Sequence, residues 1–99
     1  MSKKYYTDYV RHALRFYTRY LDRPTFTSDA AKSNWEACHS VLRKYPIIDY
    51  DILTTVYSGH DTLADEVYNA SKKYNIDQDV IWDLMKEVER KIAHRRGLL

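Results

Sequence analysis

Ninety-nine residues suffice for one domain with a modest core. A single cysteine, Cys38, rules out an internal disulfide and a thiolate metal cluster, and no apolar run approaches the ~20 residues of a membrane span. The net charge of +2 is too small to define a partner, and the opening Met1-Ser2-Lys3-Lys4-Tyr5-Tyr6 lacks the apolar stretch of a secretory signal, so the cytoplasm is the expected compartment.

The first predicted helix spans roughly Lys4 to Leu21. Tyr6, Val10, Ala13, Leu14, Tyr17 and Leu21 recur at helical spacing and form one apolar face. Tyr5, Tyr9, Phe16 and Tyr20 widen that face beyond the ~100° stripe of an ordinary surface helix. A helix of this kind lies between two neighbours or lends one side to a partner, including a second copy of the chain. Arg11, Arg15, Arg19 and Arg23 fall every fourth residue on the other side. They form either a solvated face or a strip for phosphates or acidic protein.

Asp22-Arg23-Pro24 stops this helix, because Pro24 disfavours helical geometry at Arg23. Thr27 or Ser28 caps the second, Asp29 to Lys44, whose buried face is Ala31, Trp35, Cys38, Leu42 and Tyr45. Cys38 reads as a small core residue, and His39 packs at the edge of that face. Pro46 suits the first turn of a third helix. Ile48, Ile52 and Val56 line its inner face, with Leu53 and Tyr57 flanking, and Gly59 is expected to end it in a left-handed cap.

Asp61 or Thr62 caps the fourth helix, Leu63 to Tyr74, which buries Leu63, Val67, Ala70 and Tyr74. Asn75 suits the left-handed position that ends it. Ile76 turns back into the corner, and the Asp77 carboxylate is placed to cap the fifth helix, Gln78 to Arg95. Ile81, Leu84, Met85, Val88 and Ile92 form the buried stripe of that helix. Gly97 stops it. The core is expected to centre on Trp35, Leu14, Ile52, Val67, Ile81 and Leu84. With no strand-length alternation anywhere, the fold class is all-α, a single five-helix domain with a C-terminal helix-turn-helix.

Catalysis finds little footing. Ser58, His60 and Asp61 are crowded into one turn, where a base cannot reach both partners in line. His12, His39, His60 and His94 are scattered singly, with no i,i+4 pair for a metal, and there is no glycine-rich phosphate loop. The chain is therefore expected to be no enzyme and to need no cofactor. Charge is more telling. Both ends are basic, and residues 90–96 carry Arg90, Lys91, Arg95 and Arg96 with no acid.

Residues 45–96 resemble the C-terminal DNA-binding region of bacterial sigma factors and small sigma-like regulators of phages and mobile elements. The resemblance rests on Tyr45-Pro46 before an acidic helix, Asp49 and Asp51 within it, Val56-Tyr57 near its end, Gly59, and the run Leu63-Ala64-Asp65-Glu66-Val67. Asn75-Ile76-Asp77 stands where the family has Gly-Ile-Ser. The resemblance divides the chain into an N-terminal helical part, 1–44, and a sigma-like part, 45–96. It implies a transcriptional regulator whose fifth helix enters the major groove of double-stranded DNA. Base and phosphate contacts would then fall on Gln78, Asp79, Trp82, Asp83 and Lys86. Arg90, Lys91, Arg95 and Arg96 would neutralise phosphates, helped by Arg11, Arg15 and Arg19. Asp77, Asp79 and Asp83 work against a phosphate backbone. The other expectation is accordingly a protein-interaction module on the same helices, with RNA polymerase, another regulator, or a second copy through helix 1 as the partner.

Overall fold

A computed structural model describes residues 5–22 and 25–99. The described residues form five α-helices and no strand: α1 (Thr7–Arg19), α2 (Asp29–Leu42), α3 (Ile47–Ser58), α4 (Leu63–Tyr74) and α5 (Gln78–Arg95). The expected start of α1 at Lys4, the stop at Arg23-Pro24 and the charges of Lys3 and Lys4 lie outside the described residues. None of the described helices is long and apolar enough to cross a membrane.

Local chemistry sets most of the boundaries. Ser28 Oγ accepts from the Ala31 N–H at 3.1 Å and starts α2. Thr62 Oγ1 does the same for α4, accepting from Asp65 N–H at 3.2 Å. Pro46, extended, precedes α3 as its N-cap rather than entering its first turn. Asn75 adopts φ 54° and ψ 52°, the left-handed position expected of it. The Ile76 N–H then reaches back to the Ser71 carbonyl at 3.1 Å, and Ser71 Oγ donates to the Ile76 carbonyl at 2.6 Å. The α4–α5 corner is thus closed by its own backbone. Asp77 occupies the N-cap position of α5, but its carboxylate makes no capping hydrogen bond. Gly97, at φ 74°, ends α5 with two back-bonds, Gly97 N–H to His94 O and Leu98 N–H to Ala93 O.

Because Asn75 is the one non-glycine residue at positive φ among those described, it is a sharp test of the corner. Asn75→Gly should leave urea stability unchanged or slightly raised, whereas Asn75→Val should cost roughly 1–2 kcal/mol, since a β-branched side chain clashes in the left-handed region. Equal unfolding midpoints for the two variants would rule out the left-handed turn.

α5 packs against all four other helices, and α1 packs against α2, α3 and α5. Tyr17, Leu14, Leu42, Leu53, Val56, Tyr57, Val67, Ile81, Met85, Val88 and Ile92 are fully buried. Burying a side chain of this size contributes about 1.5–3 kcal/mol. Trp35 closes one end of the core. It meets Tyr17 edge-on at 5.2 Å, stacks on His39 at 4.9 Å, and donates from its indole N–H to the Tyr20 carbonyl at 2.9 Å. His39 is a packing residue, its Nδ1 lying 3.1 Å from the Tyr17 hydroxyl. Cys38 is buried, and burial pushes its thiol up to about 12, so it stays protonated and unreactive at neutral pH.

Several expectations need correction. Leu21 and Tyr20 are exposed, beyond the end of α1 at Arg19, and with Tyr5 and Tyr9 also exposed the apolar face of α1 is narrower than its composition implies. Ile48 is 59% exposed, and the buried face of α3 begins at Ile52. Gly59 is extended, with φ −66° and ψ 161°. A Cβ there would meet only the Glu66 carboxyl, the far end of a flexible side chain that can move aside. Leu84 is only partly buried against the core, and Met85 holds the fully buried position beside it.

Candidate functional site

The twelve residues expected to bind DNA fall in three separate places. Gln78, Asp79, Asp83 and Lys86 are exposed on the first half of α5. Together with Asp77 they give this end of the helix an acidic outer face. Trp82 does not join them. Its ring is partly buried against the core, under the Arg11 guanidinium at 5.9 Å from the ring centre. Position 82 lies four residues from both Gln78 and Lys86, about 40° around the helix from each, and it is the Arg11 side chain from α1 that covers the ring.

The α1 arginines each hydrogen-bond within the molecule, Arg11 and Arg15 half-buried and Arg19 exposed. Arg11 Nε donates to Glu89 Oε2 at 2.9 Å, and Tyr57 Oη donates to the same oxygen at 2.5 Å. Glu89, whose side chain is 4% exposed, is therefore a buried carboxylate held by two partners. Arg15 donates to the Gly59 carbonyl and, at 3.0 Å, to that of Asp61. Arg19 also reaches the Gly59 carbonyl, at 3.0 Å. The α3–α4 connection runs extended through Gly59 and turns its carbonyls toward α1, and the arginines satisfy them. Arg96 is turned inward too, its Nε donating to Asn34 Oδ1 at 2.7 Å on α2. The same amide holds the Tyr9 hydroxyl, and the hydrogen bonds of Asn34 and then Arg96 hold the pKa of that phenol below its ordinary value.

Arg90, Lys91 and Arg95 remain at the surface and face one concavity. This groove, of about 950 Å³, lies between the end of α2, the start of α3 and the second half of α5. Ser40, Val41 and Lys44 line it from α2, Tyr45, Pro46 and Asp49 from the approach to α3, and Glu87, Arg90, Lys91, His94 and Arg95 from α5. One carboxylate is already engaged. Glu87 Oε1 accepts from the Tyr45 hydroxyl at 2.8 Å and lies 3.7 Å from Lys91 Nζ. The Tyr45 hydrogen bond, with Lys91 behind it, holds the Glu87 carboxyl below its ordinary range. Lys91 also lies 4.9 Å from the centre of the Tyr45 ring. Lys44, Arg90 and Arg95 are exposed around this fixed unit.

The α2 and α3 walls of the groove do not follow from helical spacing, which gives Tyr45 to helix packing, Pro46 to helix initiation and Lys44 to the end of α2. The signal for them is the run Arg43-Lys44-Tyr45-Pro46-Ile47-Ile48, cations followed at once by apolar residues, which sits at a helix junction. Among the described residues no group of three or more His, Cys, Asp or Glu side chains gathers where it could hold a metal ion. Ser58 Oγ donates back to the Thr55 carbonyl at 3.5 Å, and His60 Nδ1 faces Arg19 at 3.5 Å. No family model, curated protein or solved structure matches the chain.

Proposed function

We propose that this chain is a small helical module that works by binding another protein. One observation carries the reading: the cations a nucleic-acid surface would draw on are divided. Arg11, Arg15 and Arg96 are half-buried and bonded to acceptors within the molecule, leaving Arg19 the exposed one of the four, while the exposed start of α5 presents Asp77, Asp79 and Asp83. A phosphate backbone laid along that helix start meets like charge. A protein partner tolerates a surface of mixed sign and draws specificity from it.

A second reading, a sigma-like DNA-binding regulator, is favoured by the α4–α5 corner. Two helices joined through a left-handed Asn75 have the connection such a regulator requires, and Gln78, Asp79, Asp83 and Lys86 stand exposed after it. In that reading Lys86, Arg90, Lys91 and Arg95 supply the phosphate contacts.

Titration with random duplex DNA at low and moderate salt separates the two. The protein-binding reading expects no association for the wild type even at low salt, and none for the Asp79→Asn, Asp83→Asn double variant either. Firm binding at moderate salt that weakens for the Arg90→Ala, Arg95→Ala variant, with a salt slope smaller by ~0.9 per lost phosphate contact, would overturn it in favour of DNA.

A further inference from the structure

From the groove between α2, α3 and α5 we infer the kind of partner: an acidic, amphipathic helical segment of another protein. The inference rests on the protein-binding reading above and adds to it the place and the chemistry of contact. Three features of the groove select this occupant.

The first is charge. Lys44, Arg90, Lys91 and Arg95 outnumber the two carboxylates of the lining, Asp49 and Glu87. Glu87 is already committed to Tyr45 and Lys91. The charge left over on Lys44, Arg90 and Arg95 is positive, so the complementary ligand is acidic.

The second is the apolar surface. Val41, Tyr45 and Pro46 lie among those cations. The chain runs straight on from them into Ile47 and Ile48, which are 76% and 59% exposed. Two adjacent isoleucines left in water beside a basic groove are of no use to a phosphate backbone, but they are what an apolar helix face covers.

The third is length. The α5 wall runs from Glu87 to Arg95, about 12 Å at 1.5 Å per residue, or roughly two helical turns. An occupant helix of that length offers apolar residues at i, i+3 and i+4 to Tyr45 and Pro46. Carboxylates along its two edges meet Lys44 on one side and Arg90 and Arg95 on the other.

The test is a selection of random peptides displayed on phage against the full chain. The selected peptides are then titrated into the wild type and into a Lys44→Glu, Arg95→Glu variant, with backbone amide chemical shifts recorded for each. These two residues are exposed, so the variant keeps the fold, which circular dichroism verifies. The expected result is a set of peptides rich in Asp and Glu with apolar residues every third or fourth position. Their shifts should cluster at residues 41–49 and 87–95, and the variant should bind at least about tenfold more weakly, as close charge pairs predict. Peptides that are neutral or basic, or that perturb another surface, would overturn the inference and leave the protein-binding reading in place. A selection that yields no peptide overturns it as well. If duplex DNA then perturbs residues 87–95 in the peptides' stead, the protein-binding reading falls with it.

Discussion

Replacing Arg11 by Ala should destabilise the fold by about 3–5 kcal/mol, the cost of leaving a buried charge without its partner. Glu89 is the reason. Its carboxylate is buried between α1, α3 and α5, with Arg11 Nε at 2.9 Å and the Tyr57 hydroxyl at 2.5 Å on one oxygen. Taking the guanidinium away removes the only charge of opposite sign bonded to it among the described residues, and it uncovers the Trp82 ring. A domain of this size is stable by only about 5–15 kcal/mol, so the loss is a large share of the total. The arithmetic has a second arm. Replacing Arg11 and Glu89 together by Met exchanges a buried ion pair for apolar contact, which is often neutral or stabilising by about 1–4 kcal/mol. The double variant should therefore unfold at a higher urea concentration than the single one. If Arg11→Ala shifts the midpoint no more than an ordinary surface substitution does, Glu89 is not held by that guanidinium.

Met85→Ala should cost about 2–5 kcal/mol, the range for emptying a fully buried apolar site. Met85 sits at the centre of the inner face of α5, with Ile81 and Val88 a turn to either side, all fully buried. Leu84 is only partly buried, so truncating it opens no closed cavity and should cost clearly less than truncating Met85. Lys86→Ala, on the exposed side, should stay within about 0.5 kcal/mol of the wild type. Urea unfolding of the three variants gives the order directly. An inverted order for Leu84 and Met85 would mean that α5 is rotated about its axis, with Leu84 and not Met85 facing the core.

The helices are legible wherever a local signal and the apolar period agree. Thr62, Asn75 and the stripe from Ile81 to Ile92 mark α4 and α5 without help from the rest of the molecule, and both helices run as expected from them. Ile48 misleads for a related reason. Its spacing to Ile52 and Val56 is helical, but spacing does not say where along a helix the buried face begins. The α1 arginines mislead because a row of like residues gives a face and not what lies across from it. The acceptors of Arg15 and Arg19 are carbonyls of an extended connection some forty residues away, and that of Arg11 is the Glu89 carboxylate on α5. Glu89 is invisible in the sequence, since between Val88 and Arg90 it reads as one more surface charge. The groove is hidden because its walls come from two stretches some forty residues apart, and no periodicity joins Lys44 to Arg95.

α5 packs against every other helix and is the last of the five in chain order. That order governs how the protein is made. Before α5 is made, α1 to α4 can pack on one another, but the faces they turn to α5 are uncovered, and Arg11 and Tyr57 lack the Glu89 carboxylate. Their closing contacts are with residues tens of positions later, which makes the search long compared with a bundle of neighbours alone. A chain in which α5 has not yet docked therefore leaves the faces that α1 to α4 turn toward it open, the state in which chains aggregate or recruit chaperones.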